Sequence, residues 1–221
     1  MKAYKGLGMD GWIARWYART RQNDIEDFRQ QARMVASRLS PGARVLEVAP
    51  GPGFFSIELA QLGPYTVTGL DVSATFVEIA TTNAQHAGVS VDFRRGNASA
   101  MPFADHAFDL VYCSAAFKNF SQPVEALNEM YRVLRPGGEA IIDDLRKDVS
   151  RDTVDAYVKQ SGRRALDAWL TTWTFRNMLI KRAYSTDDFS AMAANSRFGS
   201  CDITSNPIGL EVRLLRPAIR A

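Results

Sequence analysis

The sequence predicts an α/β fold built on a mainly parallel sheet with helices on both faces. Three observations carry that prediction. Short runs rich in β-branched apolar residues alternate with segments of helical apolar spacing across residues 44–145. Glycine or proline punctuates the junctions, as at Gly63-Pro64, Gly88 and Pro136-Gly137-Gly138. Apolar residues make up 46% of the 221, enough to cover both faces of a sheet within one domain.

Taken in order, residues 1–40 place Trp12, Ile13, Trp16 and Tyr17, then Phe28, Met34, Val35 and Leu39, at helical spacing. One or two helices are expected before Pro41-Gly42. Arg44–Val48 reads as the first strand. The turn Ala49-Pro50-Gly51-Pro52-Gly53 ends it, and Phe55, Leu59 and Leu62 continue as a helix. Tyr65–Leu70 is the second strand, with Asp71 at its end. Ser73 is the expected N-cap of a helix from Ala74 to about Ala87, which Gly88 closes. Val89–Arg94 is the third strand and Gly96-Asn97-Ala98-Ser99 a polar turn. Phe108–Ser114 is the fourth strand, Ser121 and Pro123 open a helix through Leu134, and Ala140–Leu145 is the fifth strand. Residues 147–194 are helical in pattern, with Tyr157, Leu166, Trp169, Leu170, Trp173, Phe175, Met178, Leu179 and Ile180 as their apolar residues. Ser200–Thr204 and Leu210–Leu215 read as an antiparallel pair.

A formal net charge of +3 is too mild to imply a nucleic-acid partner. Cys113 and Cys201 lie far apart and form no CxxC or zinc pattern, so neither a metal site nor a disulfide framework is expected. The start carries no signal-peptide pattern, and no apolar run reaches the ~18 residues of a membrane span. A cytoplasmic protein is expected. Oligomeric state is not legible.

In parallel sheets ligands bind beyond the carboxyl ends of the strands. The segments to watch are therefore Ala49–Gly53, Asp71-Val72, Gly96–Ser99, Ser114–Phe120 and Asp143–Arg146. The glycine turn suits an anionic or nucleotide-like ligand, since glycines let backbone approach closely and helix-start N–H groups face outward. A phosphate-cradling P-loop is excluded, because no Lys-Ser or Lys-Thr follows Gly53. A dinucleotide fingerprint is met only in part: Gly51 and Gly53 are present, Ser56 stands at the third position, and Asp71 could take ribose hydroxyls. These features alone leave a dehydrogenase open.

Glu47-Val48-Ala49-Pro50-Gly51-Pro52-Gly53 resembles motif I of the class I S-adenosylmethionine-dependent methyltransferases. Gly69-Leu70-Asp71-Val72-Ser73 resembles that family's acidic loop, and Gly96–Phe103 its "GDAxxLPF" stretch. Phe108-Asp109-Leu110-Val111-Tyr112 resembles motif IV, and Arg132–Gly138 the "RvLkPGG" motif. The set spans residues 42–145 and is most similar to ubiquinone/menaquinone-biosynthesis-like and small-molecule methyltransferases. The resemblance implies a Rossmann-like, seven-stranded class I fold over residues 41–221, with residues 1–40 as a helical lid and 147–194 as a helical substrate cap. It implies S-adenosylmethionine as cofactor and S-adenosylhomocysteine as product. Glu47 would orient the methionyl amino group. The backbone of Ala49, Pro50, Gly51 and Gly53 would approach the carboxypropyl and ribose parts. Asp71 would take the ribose hydroxyls and Val72 would pack on adenine, whose edge Gly96, Asn97 and Ala98 would meet. Cys113, Ser114 and Ala115 would line the far wall near the methyl group. Two departures stand out: Ala49 replaces a glycine, which costs little if that position keeps φ below zero, and Asn97 replaces an aspartate.

A sulfonium methyl needs an aligned nucleophile and dry surroundings more than a base. Lys118 and Asn119, after the fourth strand, and Tyr17 in the N-terminal helix are the candidate acceptor-positioning residues; Lys118 is expected to point to solvent. Arg21, Lys181, Arg182 and Tyr184 are further cap candidates. His106 is expected to be exposed, and one of Asp143 and Asp144 to pair with Arg146. The function expected is methyl transfer to a small molecule. An RNA or protein methyltransferase and a non-catalytic S-adenosylmethionine-binding protein are the alternatives. No Asn/Asp-Pro-Pro-Tyr/Phe motif follows the fourth strand to favour the former.

Overall fold

The structure is a computed structural model and describes residues 4–5, 9–160 and 180–218, without the side chains of 151 and 157–160. Its centre is a seven-stranded sheet of order β3-β2-β1-β4-β5-β7-β6. The strands are β1 (Arg44–Val48), β2 (Thr66–Asp71), β3 (Asp92–Arg95), β4 (Phe108–Ser114), β5 (Leu134–Leu145), β6 (Asp202–Ser205) and β7 (Gly209–Leu215). The first five run parallel, and β7 is antiparallel to both β5 and β6. This is the expected fold class. Strand order reverses between β1 and β4, so the crevice beyond their carboxyl ends is the natural ligand position.

Side-chain alternation sorts the central strands into two cores. Val45 of β1, Leu110 and Tyr112 of β4 and Ile141 of β5 pack with Phe55 and Leu59 of α3 (Phe54–Leu62) and with Ala32 and Val35 of α2 (Ile25–Ala36). Leu46, Val48, Val111, Cys113 and Ile142 face the other way, against α5 (Pro123–Val133) and the last helix, α7 (Thr186–Ala194). Helix α4 (Ala74–His86) lies over β2 and β3, and α1 (Gly11–Arg21) packs on α4. Helix α6 spans Arg151–Gln160.

Ser73 does cap α4: its Oγ accepts the Phe76 N–H at 3.1 Å. Ser121 does not cap α5, because Gln122 holds that position and Pro123 begins the helix. The fifth strand starts six residues earlier than expected, at Leu134 instead of Ala140. The Arg135–Gly138 stretch stays in the sheet through a register shift between Phe108 and Leu110 of β4. Of the helical pattern at 147–194, residues 161–179, with Leu166, Trp169, Leu170, Trp173, Phe175, Met178 and Leu179, lie outside the described part, and so does the side chain of Tyr157.

Candidate active site

The carboxyl ends of β1, β2, β4 and β5 converge on one mouth. Register places Glu47 of β1 beside Tyr112 of β4 and Gly69 of β2. Its side chain falls on the α3 face of the sheet, 4% exposed, where Ser56 Oγ donates to Glu47 Oε2 at 2.5 Å. Burial pushes the Glu47 carboxyl up to about 7, against the opposing pull of the Ser56 bonds. Asp71 ends β2. Its Oδ1 accepts Ser73 N–H at 2.9 Å and its Oδ2 accepts Gly51 N–H at 3.1 Å. Burial lifts it to about 6, and Asp10 adds a like charge nearby. Among the described residues neither carboxylate enters an ion pair. Two buried carboxylates without a cation suit a ligand that brings hydroxyls and positive charge of its own.

Between them runs the glycine turn. Gly51 and Gly53 have φ of 53° and 80°, and so does Ala49, at 59°. The condition under which Ala49 would cost little is therefore not met: an L-residue occupies the left-handed region here. Its N–H donates to Leu70 O at 2.8 Å, and Asn83 Nδ2 holds Pro52 O at 2.9 Å, so neighbouring elements hold the turn in this shape. A Cβ on Gly53 would meet Phe93 at 2.7 Å and Ala80 at 2.8 Å, which makes that glycine a packing requirement as well. Val72 is exposed at the rim beside Asp71. Gly96, Asn97 and Ala98 are half-buried in the next turn, where Asn97 Oδ1 accepts the Ser99 N–H at 3.0 Å.

The loop after β4 corrects two expectations. Lys118 does not point to solvent. It is 2% exposed and its Nζ donates to Asp144 Oδ1 at 2.6 Å and to Ala115 O at 2.5 Å. Nor does Arg146 pair with either aspartate: it pairs with Asp148, Asp144 takes Lys118, and Asp143 accepts the Tyr112 hydroxyl at 2.7 Å. The alternation of β5 explains the split, sending Asp143 to the α3 face and Asp144 to the α5 face. Asp144 also accepts the Lys118 and Leu145 backbone N–H groups. Together these bonds hold Ala115 at a φ of 56° and fix the loop. Cys113 is fully buried in the core on the α5 face. Ser114 is half-buried at the strand end, and Asn119 is buried within the loop. His106 is exposed and far from this mouth.

The N-terminal segment covers the mouth. Asp10 Oδ1 accepts Ser73 Oγ–H at 2.6 Å, and Gly11 N–H donates to Thr75 Oγ1 at 3.0 Å. Helix α1 then brings Tyr17 beside Gly51 and edge-on to Phe76. Tyr4, which the sequence did not single out, bridges Phe120 through its backbone, and Lys5 N–H donates to Asn119 O at 2.7 Å. Burial pushes the Tyr4 phenol up, and the Arg182 guanidinium opposes that rise. Lys5 Nζ donates to the Tyr184 hydroxyl at 2.7 Å, and Arg182 to Lys5 O at 3.3 Å. Lys181 and Arg182 are exposed, and Arg21 pairs with Asp24 outside the mouth. Tyr4 stands between Ala3 and Lys5, ahead of the helical pattern that begins near Trp12, so no periodic signal marked it. Ser56 was visible, but as a missing glycine and not as a partner of Glu47. Among the described residues no group of His, Cys, Asp and Glu could hold a metal ion, and no helix is long and apolar enough to cross a membrane.

Comparison with known proteins agrees with this geometry. Residues 46–142 match a family model described as a methyltransferase domain. The demethylmenaquinone methyltransferase of Deinococcus radiodurans is 37% identical over 116 residues, 52% of this chain and 48% of that protein. The Renibacterium salmoninarum protein of the same name is 40% identical over 103 residues, 46% of this chain and 41% of that one. The chain thus spans about half the length of these curated relatives. Among solved structures, a Methanococcus maripaludis chain assigned to the S-adenosyl-L-methionine-dependent methyltransferases superposes with a TM-score of 0.76 at 18% identity, covering 100% of this chain and 99% of that one. A [4+2]-cyclase, SpnF, shares the fold at a TM-score of 0.59 and 22% identity, over 86% of this chain and 81% of its own. Residues 46–142 are thus similar to a methyltransferase domain, and the fold around them is the one these solved structures share.

Proposed function

We propose that this chain transfers a methyl group from S-adenosylmethionine to a small-molecule acceptor by direct in-line displacement. The observation that supports this most is the pair of buried carboxylates, Glu47 and Asp71, on either side of the glycine turn, neither of them ion-paired among the described residues. Their chemistry fits the donor: Asp71 accepts from the ribose hydroxyls and Glu47 from the methionyl ammonium. The Ala49–Gly53 backbone lies along the carboxypropyl and ribose parts. Val72 packs on the adenine, and Gly96, Asn97 and Ala98 meet its edge. Ser114 lines the wall near the methyl group. Residues 1–40 act as the lid, with Tyr17 and Tyr4 on its inner side, and Asn119 helps to place the acceptor. Lys118 serves by fixing the loop shape and is not offered as a base.

The donor arrives activated, so the chain has to align the acceptor and keep water out. An electron pair of the acceptor atom, whether O, N, C or S, forms the new bond to the methyl carbon, the S–CH₃ bond breaks, and its electron pair stays on sulfur as a neutral thioether. The proton displaced from the acceptor leaves to solvent. Because the relatives are named demethylmenaquinone methyltransferases, a demethylated naphthoquinol is the first acceptor to try. Arg182, which donates to Lys5 O next to Tyr4, would favour the anion of such a phenol. Arg182→Ala is expected to raise the acceptor KM severalfold while leaving S-adenosylmethionine affinity unchanged, and Tyr17→Phe to raise the acceptor KM as well; an unchanged acceptor KM removes them from the acceptor pocket.

The decisive experiment incubates the protein with methyl-labelled S-adenosylmethionine, first with the naphthoquinol and then with a host metabolite extract, and follows the label by mass spectrometry. Because the fold also hosts a cyclase, transfer must be measured as well as binding. Label in a small molecule supports the reading. No donor binding in calorimetry at millimolar ligand sinks it. Label in RNA or protein alone would move the acceptor to those classes, and binding without transfer to any fraction would leave a non-catalytic donor-binding protein.

A further inference from the structure

Helix α1 has an outer face that the site does not use. Trp12 and Trp16 are 76% and 59% exposed, unusually open for the largest apolar side chain. Arg15 and Arg19 are exposed beside them. The four residues fall at i, i+3, i+4 and i+7, which is a single stripe along a helix. The opposite side, with buried Ala14 and Ala18 and with Tyr17 edge-on to Phe76, packs inward against α4. Among the described residues Arg15 and Arg19 enter no ion pair, whereas Arg21, Arg29, Arg33 and Arg38 are all matched to carboxylates. No acidic residue occurs from position 11 to 23.

We propose that this stripe docks the protein on an anionic lipid bilayer. Indole rings settle at the headgroup boundary, where the apolar body is buried and the N–H stays wet. Guanidinium groups between them are drawn to the negative surface potential, each adding roughly fivefold in affinity near the surface. Both residue types share one face, as in helices that lie in the membrane plane. A second copy of this chain fits the face less well. A two-fold contact would set Arg15 and Arg19 against their own copies, with no acidic residue on the helix to neutralise them. Because α1 also carries Tyr17 to the glycine turn, a docked α1 would hold the mouth close to the lipid surface. The proposal does not depend on which acceptor is used.

The test is co-sedimentation of the full chain with phosphatidylcholine vesicles, with and without phosphatidylglycerol. Binding is expected to the anionic vesicles only, and to weaken as salt is raised. Arg15→Gln with Arg19→Gln is expected to weaken it about 25-fold, and Trp12→Ser with Trp16→Ser at least about tenfold. All four positions are solvent-exposed, so an unchanged S-adenosylmethionine isotherm or circular dichroism spectrum certifies the fold of each variant. Failure to sediment with anionic vesicles, or retention of full binding by the tryptophan pair, overturns the proposal. So does a native dimer in sedimentation equilibrium that the tryptophan substitutions dissolve, since a second copy would then cover the face.

Discussion

Glu47 shows how one residue joins packing to function. Its position on β1 buries it, and Ser56 on the first turns of α3 supplies hydrogen-bond donors but no charge. In the absence of ligand its carboxyl sits near 7 and that of Asp71 near 6. Both values lie above the ordinary range, so the folded protein holds more protons than the unfolded chain from about pH 4 to pH 7. Stability without ligand is therefore expected to fall as pH rises through that window. S-adenosylmethionine, which carries an ammonium and ribose donors, favours the ionised forms. Its binding at pH 6 is expected to release on the order of one proton, and at about pH 8.5 almost none. Calorimetry in two buffers of different ionisation heat measures this, and Glu47→Gln should remove the larger part of the release. No release at pH 6 would mean that these carboxylates do not meet the donor. Ala49 is the second residue-scale case. A left-handed alanine costs about 1–2 kcal/mol, part of which glycine offsets through its extra freedom when unfolded. Ala49→Gly should thus stabilise the protein by about 0.5–1 kcal/mol in urea unfolding. A loss of stability would show that the loop gains something from the methyl group. The sequence displayed both residues and their neighbours, but not the sign of φ at Ala49, because that is set by the Leu70 and Asn83 contacts that hold the turn.

At the scale of elements, the junctions decide the site. The helix start at Ser73 was legible because N-capping is a local contact between a hydroxyl and an N–H three residues on. The loop after β4 was not, because its shape depends on a residue 26 positions away. Lys118 looked like a surface lysine by composition; only the β4–β5 register brings Asp144 under it. This pair is buried on both sides, and removing one partner strands the other charge. Lys118→Met is expected to cost about 3–5 kcal/mol in urea unfolding. Adding Asp144→Asn, which removes the charge and keeps an acceptor oxygen for one of the Lys118 and Leu145 N–H groups, should return part of that loss. Equal losses in the single and double variants would show that the charge itself is not what the loop depends on.

For the molecule as a whole, the centre of the sheet was the most legible feature, since β1, β2, β4 and the end of β5 announce themselves by apolar runs, and the crossovers by glycine, proline or a cap, whereas the edge strands β3 and β6 are mostly polar. Edges and appended pieces were less so. Strand β5 outran its apolar run because Arg135–Gly138 remains in the sheet through a shift in register. The N-terminal segment could be read as helix but not placed, because nothing in its own spacing says which strands it covers. The structure ties it to three separate elements: Asp10 and Gly11 to the start of α4, Tyr17 to the glycine turn, and Tyr4 and Lys5 to the loop after β4. Most of these ties are single, partly exposed hydrogen bonds, whereas the sheet is held by full ladders and two apolar cores, so this segment should open at lower free energy than the sheet. A donor held between Glu47 and Asp71 would add contacts to Tyr17 and the turn on the closed side only, shifting the lid toward closure by its differential affinity. Hydrogen exchange should therefore slow in Gly11–Arg21 and at Lys5 when S-adenosylhomocysteine is added at saturation, while the amides of β4 and α5 change only as far as global stability does. Protection confined to the glycine turn, with α1 exchanging as fast as before, would mean that the helix is a fixed outer layer and not a lid.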